Sequence, residues 1–485
     1  MGDDSLVALC SWAHFFALLI FMSRQLFSTL PLSPALQQNL AQLGFSEMTP
    51  IQAESLPLIL EGHDLIAQAK TGSGKTAAFG LGILHKLKPA RFSIQALVLC
   101  PTRELAGQVA EELRRLARAE SNIKVLVLTG GVPMGRQVDS LAHGVHIVVG
   151  TPGRVLDHIR RGSIDLSPVE TLVLDEADRM VDMGFYDDMY EVVAACPPRR
   201  QSLMFSATYP DTIRSDAAHF LHEPIEVKVE SLVRGSQIEQ LFFDVEPDER
   251  YEATAHLLSH YQPDSALAFC NTKAQCDGLT HYLRSLGFSA LTLHGDLEQR
   301  DRDEVLIQFA NNSCTVLVAT DVAARGLDIS ALAAVINVDM PRDPEVYIHR
   351  IGRTGRAQEK GLALSLCTRF DGGILEKIES FQQKGLQRAR LRSRTATKQR
   401  PQPAPMQTVV ILGGKKDKLR PADILGALTG DAGLHRDQVG KINIGVVASH
   451  VALERSIASQ AVERLVQHGI KKKRFRMHLL QTEGF

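Results

Sequence analysis

The sequence predicts an α/β protein: two tandem parallel-sheet lobes followed by a small α+β domain. Three observations predict it. Short apolar runs alternate with polar helical stretches from about Ser33 to Val229, and a second such series starts near Ala266. Continuous apolar strands alternating with helices mark a parallel sheet covered on both faces. Most of these runs end in a polar or glycine-rich cluster, and ligands bind beyond the carboxyl ends of such strands. At about 150 residues per domain, a chain of 485 residues holds about three domains.

The chain opens on an apolar run, 6–21 (LVALCSWAHFFALLIF), that holds its one Trp. A signal peptide wants a basic start and a small-residue cleavage site, but Asp3 and Asp4 precede this run and no A-x-A follows. A spanning helix wants about 20 apolar residues, and Ser11 and His14 interrupt a shorter stretch. Residues 1–21 are therefore expected to be an upstream extension ahead of Met22, with a membrane tether as the rival.

The first lobe is expected over 22–230, with strands at 65–67, 96–100, 124–129, 146–150, 171–174 and 201–205. The second is expected over 231–385, with strands at 266–269, 290–293, 315–319, 334–338 and 362–367. A polar stretch near 231–238 reads as the hinge. Residues 386–406 are rich in Arg, Thr, Gln and Pro and read as a basic linker. Over 407–480, strands at 409–412, 441–447, 450–453 and 475–480 and helices at 421–428 and 457–466 give the order βαββαβ, that of an RNA recognition motif.

Net charge is −1, but its distribution is uneven. From Leu386 onward 19 Lys and Arg face 7 Asp and Glu, a local +12 that leaves −13 on the rest. An acidic body with a basic tail suggests that the tail touches a polyanion. The seven cysteines form no CxxC pair, which argues against a disulfide framework or a zinc site. Cys100, Cys270 and Cys367 end apolar runs and read as buried thiols.

AKTGSGKT (69–76) follows a strand and opens a helix, the context of a phosphate-binding loop, here with Ala in place of the first Gly. Backbone N–H groups of Lys70, Thr71, Gly72, Ser73 and Gly74 suit phosphate, Lys75 reaches the β/γ-phosphates, and Thr76 holds Mg²⁺. Asp175-Glu176-Ala177-Asp178 follows the apolar strand TLVL. Asp175 is placed to hold the hydrated metal, and Glu176 to orient or deprotonate the attacking water.

These motifs resemble those of the DEAD-box RNA helicases over roughly Arg24 to Arg369. The signatures stand in order: Phe27 with GFSEMTPIQ (44–52), AKTGSGKT, PTREL (101–105), Gly130-Gly131, TPGR (151–154), DEAD and Ser206-Ala207-Thr208, then FCNT (269–272), HGDLEQRDR (294–302), ATDVAARGLD (319–328) and HRIGRTGR (349–356). The resemblance implies two RecA-like lobes using ATP and Mg²⁺. Gln52, a donor and acceptor matching the N6 and N7 edge of adenine, would select ATP, with Phe27 stacking on the base and Asp328 on the ribose. Arg353 and Arg356 resemble arginine fingers, an effect worth ~10³ to 10⁵ in rate elsewhere. They lie on the lobe that lacks Lys75 and Glu176, so the site is complete only on closure. Ser206, Thr208 and His349 would couple that closure to RNA. Pro101, Thr102, Arg103, Gly131, Thr151, Gly153, Arg154, Arg302, Thr320 and Arg325 would bind the RNA backbone, contacts that carry no base sequence.

GGKKDKLRPADILGALTG (413–430) and the ending through KKKRFRMHLL (471–480) resemble the C-terminal domain of the DEAD-box protein A group, which acts on large-subunit ribosomal RNA. A typical RNA recognition motif stacks bases on sheet aromatics, yet the strand here reads SHVAL and the unit's aromatic residues are Phe475 and Phe485. Charge-led binding of a folded hairpin through Lys415, Lys416 and Lys472 is expected instead. The favoured reading is an ATP-dependent RNA helicase acting on 23S ribosomal RNA: a cytoplasmic monomer without stable membrane association. Rivals are a general messenger-RNA or cold-shock helicase and a clamp that binds without turnover.

Overall fold

The computed structural model describes residues 26–69, 72–120, 122–206, 217–229, 238–324, 332–355, 361–391, 401, 403–471 and 473–480. The N-terminal apolar run and almost all of the expected hinge lie outside them. No helix among the described residues is long and apolar enough to cross a membrane. The chain falls into two compact units: the first lobe, and the second lobe together with the C-terminal domain.

In the first lobe, β1 (Leu65–Gln68), β2 (Ala96–Leu99), β3 (Val125–Leu128), β4 (Ile147–Gly150), β5 (Thr171–Asp175), β6 (Gln201–Ser206) and β7 (Ile225–Lys228) form one sheet. Its order is β3-β4-β2-β5-β6-β1-β7, with every neighbouring pair parallel. Because only β6 separates β1 from β5, at about 4.8 Å per strand the phosphate loop and DEAD segments end about 10 Å apart. β5 is apolar because both faces are covered: Leu172, Val173 and Leu174 are at most 1% exposed. The helix Lys75–Lys86 lies close against the helix Pro50–Glu61. A Cβ at Gly82 would sit 2.2 Å from Ile59 Cγ2, so only glycine permits that approach.

The second lobe repeats the plan. β8 (Ile238–Asp244), β9 (Ala266–Phe269), β10 (Ala290–Leu293), β11 (Val316–Ala319), β12 (Ala334–Asn337), β13 (Gly361–Cys367) and β14 (Arg388–Ala389) take the order β10-β11-β9-β12-β13-β8-β14, again parallel throughout. The C-terminal domain is antiparallel: β15 (Met406–Ile411), β16 (Val439–Ile444), β17 (Ser449–Glu454) and β18 (Met477–Leu479) in the order β16-β17-β15-β18, with helices Pro421–Thr429 and Ala458–His468. This is the βαββαβ order read from the sequence.

Three strands depart from that reading. The second sheet begins at Ile238, not near Ala266, and β7 adds an outer strand to the first sheet. The stretch read as a linker opens with β14 at the sheet edge. Each of the three lacks the continuous apolar run of a central strand: β7 alternates Ile, Glu, Val, Lys, and β8 carries Glu239 and Gln240 before its Leu-Phe-Phe. The six described cysteines are free and buried, and Cys100, Cys270 and Cys367 are among them, buried as expected.

Candidate active site and nucleic-acid interface

Lys75 opens its helix 6% exposed, and its Nζ has no hydrogen-bond partner. Asp175, at the end of β5, is 3% exposed with Oδ1 likewise unpartnered, and the buried Ser73 hydroxyl has none either. A buried polar atom without a partner costs ~1–3 kcal/mol, and more for a charge. This set fits a polyanion and a hydrated divalent cation, which supply acceptors to Lys75 and Ser73 and donors or positive charge to Asp175. Burial pushes the Asp175 carboxyl up to about 7, against the opposing charge of Lys75. Half-buried Thr76 follows Lys75 in the first turn of the helix.

Glu176 is held in the left-handed region at φ 54°, where a non-glycine residue is strained. Its carboxylate forms a buried ion pair with Arg179, one turn along the helix Ala177–Asp182. The sequence reading did not single out Arg179, although its i+3 spacing from Glu176 was visible. Beside them Cys100 is fully buried, and burial raises its thiol well above its ordinary pKa, consistent with an inert core residue.

Gln52 is 2% exposed and both ends of its amide are engaged. Nε2 donates to the Gly74 carbonyl at 3.0 Å, and Oε1 accepts from the Thr49 amide at 2.8 Å. The residue expected to read adenine is thus joined to the phosphate loop. Phe27, expected to stack on the base, is instead 1% exposed, its ring edge-on to Phe45 at 5.8 Å. Gln37 Nε2 donates to its carbonyl at 2.9 Å. In this arrangement Phe27 fixes the segment ahead of the helix Pro50–Glu61, and a base could stack on it only if that packing opened.

Three motifs of the first lobe meet at the ends of β2, β3 and β4. Thr102 caps the helix Arg103–Leu116 by accepting from the Leu105 amide at 3.2 Å. The Arg103 guanidinium lies against Gly130, where a Cβ would come 2.7 Å from Nη2. Gly131 takes φ +80°. Arg154 donates from Nη1 to the Val132 carbonyl at 2.8 Å and to Gln137 Oε1 at 2.9 Å. Gln137 in turn donates to the Thr129 carbonyl at 3.0 Å and meets His158 Nε2 at 3.0 Å. Pro101 lies just ahead of the helix Arg103–Leu116, and Thr151 and Gly153 sit at the start of the helix Pro152–Arg160. Gln137 and His158 escaped sequence reasoning, because a lone Gln and His on helices carry no motif.

In the second lobe the organising residue is Arg350, 1% exposed. Its Nε and Nη2 donate to the two oxygens of Asp321 at 2.7 Å each. It also donates to Asn337 Oδ1 at 3.2 Å, the Asp339 carbonyl at 2.6 Å and Asn271 Oδ1 at 3.1 Å. This ties the FCNT, ATD and HRIGR segments together one turn before Arg353, which is 6% exposed. Half-buried His349 lies on the same helix, Pro344–Ile351. His294 Nε2 meets Asp277 Oδ1 at 2.9 Å, and Arg302 donates to the His294 carbonyl at 3.4 Å. The Thr320 amide donates to the Leu293 carbonyl at 3.3 Å. Ser206, 0% exposed, ends β6 and accepts from the Ala69 amide at 2.9 Å. Lys70, Thr71, Thr208, Arg325, Asp328, Arg356 and Lys472 lie outside the described residues.

In the C-terminal domain Lys415 and Lys416 are exposed on a short turn. Their amides donate to the carbonyls of Gly445 and Val446 at 2.9 and 3.1 Å, which seats the turn against the β16–β17 hairpin tip. Lys471 pairs with Asp423 at 2.8 Å, while Lys473 and Arg474 are exposed. Half-buried Phe475 packs against Gly413 and the domain core.

Comparison with known proteins matches this geometry in all three parts. The DEAD/DEAH box helicase family matches residues 49–215, the helicase conserved C-terminal domain 249–358, and the DbpA RNA binding domain 408–479. The chain is 49% identical over 458 residues to the ATP-dependent RNA helicase DbpA of Escherichia coli, covering 94% of this chain and 99% of that one. It is 47% identical over 354 residues to the helicase CshA of Bacillus cereus, covering 73% of this chain and 67% of the relative. Among solved structures, S. cerevisiae Dbp5 bound to RNA and ADP BeF3 aligns with a TM-score of 0.70 at 33% identity, over 76% of this chain and 96% of the other.

Proposed function

Because the chain belongs to the DEAD-box ATP-dependent RNA helicases and is of the DbpA type, we propose that its ATP hydrolysis separates short duplexes locally in 23S ribosomal RNA during large-subunit assembly. The observation that carries this is the C-terminal domain: its family match spans 408–479, and it presents exposed lysines on a turn beside a hairpin tip. The CshA match stops short of so much of the chain that it speaks for the lobes, whereas the DbpA match includes the tail.

The chemistry follows from the chain's own groups. Lys75 and the amides at 72–74 take the β- and γ-phosphates, and the burial of Lys75 strengthens its contact. Thr76 and Asp175 would hold Mg²⁺, which when bound neutralises phosphate charge. Glu176, aimed by Arg179 and by its left-handed backbone, orients the attacking water and accepts its proton. Arg353 and Arg356 are brought to the γ-phosphate when ATP and RNA close the lobes, so hydrolysis waits for RNA. Arg103, Arg154 and Arg302 hold the phosphates of one bent strand, and its partner strand falls away. The reading is of a cytoplasmic monomer.

Crosslinking in cells tests it, comparing the full chain with one ending before Met406. The full chain should footprint one ribosomal hairpin and the shortened chain should lose it. Equal footprints would mean that the tail does not choose the target. ATPase stimulated equally by generic RNA would favour a general messenger-RNA or cold-shock role, as in the CshA reading. Absence of RNA-stimulated ATPase in the unaltered protein would favour a clamp.

A further inference from the structure

The helix Pro152–Arg160, which carries the TPGR segment, packs in the first lobe on the helix Tyr186–Ala194. Val155 and Leu156 on the first helix and Met189, Val192 and Val193 on the second belong to one buried cluster. Asp188 and Glu191 stand three residues apart on the second helix, and side chains so spaced share a face. Glu191 meets a cation from the first helix: Arg160 Nη2 donates to its two carboxylate oxygens at 3.0 and 3.2 Å. Asp188 meets none. A Cβ on Gly153 would lie 3.2 Å from Asp188 Oδ2, so this half-buried carboxylate rests against the glycine of TPGR. Among the described residues it has neither an ion-pair partner nor a hydrogen-bond donor.

A carboxylate in the first turn suits the helix it starts. Exposed Asp187 serves that end equally, so it does not account for Asp188. What sets Asp188 apart is the backbone it touches. Thr151 makes no side-chain cap, so the first amides of the helix Pro152–Arg160 stay open to an acceptor from outside. A phosphate reaching Gly153 and Arg154 comes close beside a carboxylate that no cation neutralises. Like charges at that range repel even where solvent weakens the force.

We propose that Asp188 is an internal competitor of the RNA backbone: its charge holds down the grip of the first lobe on phosphate at TPGR and hastens release of the strand. The proposal rests on the reading that RNA lies along TPGR.

The test uses the full chain with Asp188→Asn, which keeps the shape and removes the charge. Asp187→Asn removes the same charge one residue away, and Arg154→Gln removes the expected phosphate contact. Binding of a fluorescent oligouridine is read by anisotropy with a non-hydrolysable ATP analogue present. Asp188→Asn should bind roughly fivefold more tightly at low salt, with the gain shrinking as salt screens the charge. Asp187→Asn should stay within about twofold of the parent, being exposed to screening solvent. Stopped-flow should show slower release of the strand from Asp188→Asn than from the parent. An equal gain in both asparagine variants would assign the effect to net charge and overturn the competitor. If Arg154→Gln weakens binding while Asp188→Asn changes nothing, RNA lies on TPGR and the competitor alone is overturned. If neither substitution matters, RNA does not lie on TPGR and both readings fall. Asp188→Ala should repeat the gain, and a loss there would make Asp188 a support of the helix pair rather than a competitor.

Discussion

Arg350 grips Asp321 with two parallel hydrogen bonds, Nε and Nη2 each 2.7 Å from a carboxylate oxygen, in a site where the arginine is 1% exposed. The fork geometry of guanidinium is what allows this pairing, and an ammonium cannot reproduce it. Removing one partner of a buried pair costs ~3–5 kcal/mol, because the other charge is stranded. Arg350→Met should therefore lower the stability of the second lobe by about that amount. Arg350→Lys should still fold and lose RNA-stimulated turnover, since Arg353 follows one turn later. Thermal unfolding and kcat separate the two effects. An unchanged kcat in the lysine variant would show that the fingers do not depend on this clamp.

Glu176→Gln keeps the size of the side chain and removes its basicity. Loss of a general base lowers turnover by ~10² to 10⁴-fold. The variant should retain ATP-dependent RNA binding, measured by fluorescence anisotropy with ATP present. A residual rate within threefold of the parent would assign the base elsewhere.

Gly130→Ala probes the first lobe without touching a charge. The new methyl would lie 2.7 Å from Arg103 Nη2, so the guanidinium must move. If Arg103 holds an RNA phosphate, the KM for RNA rises roughly tenfold, the ~1.5 kcal/mol of one charge-assisted contact. The KM for ATP should stay put.

His158 is fully buried, and burial followed by the charge of Arg154 lowers its pKa below the usual 6.5. The folded lobe thus binds the proton less well than the unfolded chain. Its stabilising contribution is complete above 6.5 and declines as pH falls from there toward the depressed folded value. The melting temperature of the parent should drop more between pH 8 and 5.5 than that of His158→Gln. Parallel melting curves would remove His158 as the cause.

Lys415→Ala and Lys416→Ala should weaken hairpin binding and flatten its salt dependence. Each lost phosphate contact lowers the slope of log affinity against log salt by about 1. Titrations between about 50 and 200 mM salt read this directly, and an unchanged slope would take these lysines off the RNA.

The central strands were legible because a strand buried on both faces must be apolar along its length, and β1, β2 and β5 are. β7 and β8 escaped because Glu226, Lys228, Glu239 and Gln240 break that run at positions toward the sheet edge. The phosphate loop and DEAD segment were readable because their chemistry is local in sequence. The Arg350 clamp was not, since its partners Asn271, Asp321, Asn337 and Asp339 are gathered only by the sheet. Asp188 was not legible either, since only the packing of two helices lays its carboxylate against Gly153.

The amide of Gln52 is already at work: one N–H donates to the Gly74 carbonyl, and its oxygen accepts from the Thr49 amide. A second N–H and a second lone pair can still serve a purine edge, so the residue that chooses the base is also the one that tethers the loop. A nucleotide lacking an exocyclic amine at that edge leaves the remaining lone pair without a donor. A mismatch felt at the ring is then felt by the same side chain that steadies the turn around the triphosphate.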